Sequence, residues 1–147
     1  MGWKTDHDRE EVPSHEAQLA WLQSLRARTA HIEFVFNDGD EGHPLLDHLG
    51  HLNSTRTVGV GAGNGYARPR PNAVKHRFAY DRAIIRAIDD LGGFFPDDPF
   101  PNPSPRWTGL GDVDVVFLDE HDRVLGATVT HEGLIITRSD PEGWAPS

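Results

Sequence analysis

The chain contains no cysteine. That absence excludes disulfides, thiolate metal centres and cysteine nucleophiles. Lysine is nearly missing as well: Lys4 and Lys75 are the only two, and every other basic residue is arginine, a bias of GC-rich bacterial coding. No apolar run approaches the roughly 18 residues of a membrane span. Residues 1–30 carry no basic-then-apolar leader pattern. The expectation is a cytoplasmic protein without membrane association. Positive charge is in deficit too. The formal charge is -9, so phosphate backbones and anionic membranes are repelled overall, which argues against a nucleic-acid partner.

What is present suits one folded unit. With 147 residues and 37% hydrophobic content, the sequence predicts a single α+β domain over 1–147. Its margins are a polar arm at 1–12, a proline- and aromatic-rich strap at 94–107 and a tail at 139–147. The organising stretch is Asp112 to Arg138. Val, Ile, Thr and Phe dominate Val113–Leu118, Val124–Thr130 and Leu134–Thr137, and turn residues separate these runs. Loops as short as 119–123 and 131–133 join antiparallel neighbours, so a three-stranded meander is expected. His31 to Phe36 alternates and predicts a further strand, and Arg56 to Val60 predicts another.

Helices are expected in three places. Pro13-Ser14 opens one that runs to about Arg28, with Leu19, Trp21, Leu22 and Leu25 on its buried side. Pro44 to Leu52 predicts a short one. Asn72 is expected to cap a long one over Ala73–Leu91, ended by Gly92-Gly93. The fold class read from this order is α+β, a largely antiparallel sheet with two main helices packed on one face. Prolines at 96, 99, 101, 103 and 105 exclude helix from the following segment, which reads as an extended strap or as a proline-rich ligand.

Few residues announce chemistry. The run from Gly59 to Gly65 departs from the dinucleotide fingerprint at Asn64 or Tyr66 and lacks the ending of a phosphate-binding P-loop. A turn or bulge at a sheet edge is the plainer expectation. Asp47, His48 and His51 form two histidines and a carboxylate at helical spacing, short of the three or four convergent ligands that a metal needs. Asp112 and Asp114 share a strand face, where exposure to solvent accounts for them. No Gly-x-Ser-x-Gly elbow occurs, so a serine hydrolase of that type is excluded.

Charge is unevenly distributed. Residues 56 to 86 hold Arg56, Arg68, Arg70, Lys75, Arg77, Arg82 and Arg86 against Asp81 alone, a balance of +6 within a chain of -9, leaving -15 elsewhere. Helical spacing offers Arg77 to Asp81 and Arg86 to Asp90 as internal pairs. Three readings follow. The first is a protein-binding domain of the immunity or inhibitor type. Its acidic surface, with the loop Asp119, Glu120, His121 and Asp122, would meet a protein partner such as a basic toxin. The second is a binding domain or small enzyme for an anionic small molecule, using Gly61, Gly63, Arg68 and Arg70. The third is a metal-dependent hydrolase built on Asp47, His48 and His51. No catalytic signature and no cofactor are expected on the first reading.

Overall fold

Alternation of side chains builds the centre of this protein. The computed structural model describes residues 7–11, 15–60, 70–94, 110–111, 113–129 and 134–138. In chain order these form β1 (His7–Glu11), α1 (His15–Arg26), β2 (His31–Phe36), α2 (Pro44–His48), β3 (Thr55–Val60), β4 (Arg70–Ala79), α3 (Arg82–Asp90), β5 (Val113–Leu118), β6 (Val124–Val129) and β7 (Leu134–Arg138). The strands make one antiparallel seven-stranded sheet in the order β1-β7-β6-β5-β2-β4-β3. The fold is mixed α+β, and β5, β6 and β7 are the expected meander.

Strand β2 lies between β5 and β4, and all residues from Ile32 to Phe36 are buried. Ile32, Phe34 and Phe36 share a face with Phe78 of β4 and with Val113, Val115 and Phe117 of β5, their direct cross-strand partners. These side chains join Trp21 and Leu25 of α1, Leu45 of α2, and Ile84 and Ile88 of α3 in the main hydrophobic cluster. Burying one such side chain stabilises the fold by roughly 1.5–3 kcal/mol. Trp21 meets Phe117 and Phe94 edge-on, at centroid distances of 5.3 Å and 5.7 Å. Gly126 makes room for α1, because a Cβ there would lie 2.9 Å from the Ile136 carbonyl oxygen and 3.0 Å from the Trp21 ring. The other face of β2 and β5 carries Glu33, Val35, Val116 and Leu118, all buried.

Four expectations need correction. The predicted helix over Ala73–Leu91 is a strand, β4, followed by the shorter α3, and Asp81 rather than Asn72 is its N-cap, accepting from the Ala83 N–H at 2.8 Å. Val74, His76 and Phe78 alternate with Lys75 and Arg77, a period of two that sheet pairing on both sides of β4 selects over helix. Its C-terminal end at Gly92-Gly93 is as expected, with φ of 99° and 85°. The arm at 1–12 is not loose throughout: His7–Glu11 pairs with β7 as an edge strand. Leu19 is 56% exposed, and Gln18 takes the buried position beside Trp21 and Leu25. Asp114 is buried instead of exposed, and accepts from the Asn37 amide at 3.3 Å.

Candidate functional site

A groove of about 480 Å³ runs between α1 and α3. The α1 wall presents Leu19, Leu22 and Arg26, at spacings of three and four residues that place them along one side of a helix. The α3 wall presents Arg82, Ile85 and Arg86 at the same spacing. Tyr80, Phe94 and Phe117 complete the apolar lining. Gln18 pins one end of the groove, its side-chain oxygen accepting from the Phe94 N–H at 3.0 Å. Arg26, Arg82 and Arg86 are exposed, and none pairs with a carboxylate among the described residues. Asp89 is the one acidic side chain of the lining.

Arg56, Lys75 and Arg77 of the same basic stretch are neutralised internally. Arg56 grips the Asp40 carboxylate with Nε at 2.8 Å and Nη2 at 3.1 Å. Arg77 donates to Glu33 at 3.0 Å and also bonds Asp122, while Lys75 lies 3.7 Å from Glu33. Burial alone would lower the Arg77 pKa, but its bonds to Asp122 and Glu33 outweigh this and raise it. The expected helical pairs with Asp81 and Asp90 are not formed. A strand side chain at position 77 faces Glu33 directly across the β2–β4 ladder instead.

A second constellation sits on the core-facing side of the β3 edge. His76 Nε2 is 2.6 Å from Asp40 Oδ2, and His76 Nδ1 is 3.3 Å from the Ser54 hydroxyl. The His76 ring is stacked on Phe78 and meets Phe36 edge-on. The Arg56 hydrogen bonds hold the Asp40 carboxyl well below the usual carboxylate range against the opposing effect of burial, with His76 adding to the same direction. Nothing in the sequence pattern joined these residues, because reading 73–91 as helix hid the registry of His76 opposite Arg56.

The residues singled out from the sequence fall elsewhere. In the β5–β6 loop, Asp119 is buried and turned inward, accepting from the His121 and Arg123 N–H groups at 2.9 Å each and from Arg123 Nε at 2.8 Å. Burial pushes its pKa up, but these hydrogen bonds prevail and hold it below the ordinary value. Asp122 is exposed but paired with Arg77, and Glu120 and His121 are exposed beside it. Asp47, His48 and His51 are exposed on and after α2, and no group of three or more potential metal ligands assembles among the described residues. Gly61, Gly63 and Arg68 lie outside the described residues, and Arg70 begins β4. Gly59, with φ of 85°, sits at a bulge of the edge strand β3, as its glycine-rich context implied. No family model matches this chain, and no curated protein or solved structure matches it either.

Proposed function

We propose that the protein is a binding domain for an anionic small molecule with an apolar body, seated in the α1–α3 groove. Arg26, Arg82 and Arg86 would hold the anionic group, and Leu19, Leu22 and Ile85 would cover the body. One observation carries this reading. Of the eight described cationic side chains (Arg26, Arg28, Arg56, Lys75, Arg77, Arg82, Arg86 and Arg123), four lack an acidic partner among the described residues, and three of those four line a single apolar groove. Guanidinium forks suit planar carboxylates, sulfonates and phosphates, and the groove falls within the roughly 300–1,000 Å³ typical of ligand pockets. Titration with a dansyl-labelled fatty acid tests the reading. The double variant Arg82→Ala/Arg86→Ala is expected to bind at least tenfold more weakly, since a charge-assisted hydrogen bond contributes roughly 1.5–3 kcal/mol and tenfold corresponds to about 1.4 kcal/mol. Equal affinity of wild type and variant, or equal binding of a neutral dansyl alkane, rejects it.

A second reading keeps the protein-partner proposal, an immunity-type protein neutralising a basic toxin in a bacterial cytoplasm. The net charge of -9 and the exposed Glu120 and His121 favour it. Association with a basic partner would then slow as salt rises, and Glu120→Gln would slow it at low salt.

A further inference from the structure

We propose that Ser54, His76 and Asp40 form a nucleophile, base and carboxylate relay at the β3 edge, able to cleave activated carboxylic esters through an acyl-Ser54 intermediate. The inference is independent of the α1–α3 groove. Asp40, gripped by two Arg56 nitrogens, is an ionised acceptor, so the 2.6 Å contact requires the proton to sit on His76 Nε2. In the neutral imidazole that leaves Nδ1 bare, and the Ser54 hydroxyl donates to it at 3.3 Å. These are the contacts by which a base is oriented by a carboxylate and takes a proton from a serine, recognised by geometry and role rather than by sequence order. The His76 side chain is only 9% exposed and is confined between Phe36 and Phe78, which fixes its plane. Ser54 is exposed and so is open to a substrate.

Ser54 and Arg56 are two positions apart, and the first reaches His76 while the second holds its partner Asp40. The Arg56 Nη1 amino group makes no hydrogen bond among the described residues, and an oxyanion developing within its reach would gain a charge-assisted donor. In the step itself, Ser54 Oγ bonds to the ester carbonyl carbon while its proton passes to His76 Nδ1. The tetrahedral intermediate then collapses, the bond to the leaving alcohol oxygen breaks, and His76 returns the proton to that alcohol. Water repeats the sequence on the acyl-Ser54, releasing the acid and restoring the hydroxyl. Asp40 is a positioning residue that also stabilises the transient imidazolium.

A purely architectural Ser54, merely giving Nδ1 a partner, would make the same contacts, so reactivity separates the two. The full chain is treated with a fluorophosphonate probe and, separately, with p-nitrophenyl butyrate. The expected result is an adduct on Ser54, mapped by peptide mass spectrometry, and ester turnover that Ser54→Ala abolishes. Ser54 is exposed, so that variant retains the fold. His76→Gln is expected to slow labelling about a hundredfold or more, the usual weight of a general base. Labelling no faster than in Ser54→Ala, or an adduct elsewhere, overturns the proposal.

Discussion

Arg56 and Arg77 on one hand, and Arg82 and Arg86 on the other, come from the same basic stretch and meet opposite fates. The first two sit on paired strands and each reaches a carboxylate brought alongside by the sheet, Asp40 or Glu33. The second two sit on α3, project into the groove, and have no carboxylate partner among the described residues. Local charge density is therefore a poor guide to available charge. What counts is whether the fold places an acid within reach, which it does for the exposed Arg56 as well as for the partly buried Arg77.

The comparison breaks most sharply at Glu33, whose side chain is 6% exposed. Glu33→Ala strips Arg77 and Lys75 of their shared partner, and a loss of up to about 3 kcal/mol is expected in urea unfolding, as for other interrupted buried pairs. A loss below about 0.5 kcal/mol would mean that the strand cations are as dispensable as those of the helix. Asp40 supplies a pH-dependent version of the same contrast. Its carboxyl lies below the ordinary value of 3.8 in the folded protein, so its contribution is fully present above about pH 4 and is lost as the pH falls further. The stability gap between wild type and Asp40→Asn is expected to be constant from neutral pH to about pH 5 and to narrow below pH 4. A gap that is the same at every pH removes the ion pair as its cause. The smallest effect belongs to the groove: Arg82→Ala/Arg86→Ala is expected to shift stability by no more than about 0.5 kcal/mol, while weakening the probe anion at least tenfold.

Residues with strong local preference were read correctly from the chain. Val113–Leu118 and Val124–Val129 are β-branched runs bounded by turn residues, Pro44 starts a helix, and Gly92-Gly93 ends one. Where two periods competed, local pattern was insufficient. Residues 73–79 fit a helical stripe and a strand alternation, and only the hydrogen-bonding edge of β2 chooses between them. The same ambiguity concealed the His76 constellation. Once β4 is a strand, His76 stands opposite Arg56 and within reach of Asp40 and Ser54, residues 36 and 22 positions away.

The amino-acid sequence by itself determined the α+β class, the meander and the absence of thiol chemistry, because these follow from propensities and composition acting over a few residues. Tertiary structure alone decided which charges are spent. Asp119 turned inward to close its own loop, Asp114 was buried, and α1 and α3 left three arginines around an apolar groove. The physical reason is that pairing and burial depend on distances between segments far apart in the chain, and those distances exist only after the sheet has assembled.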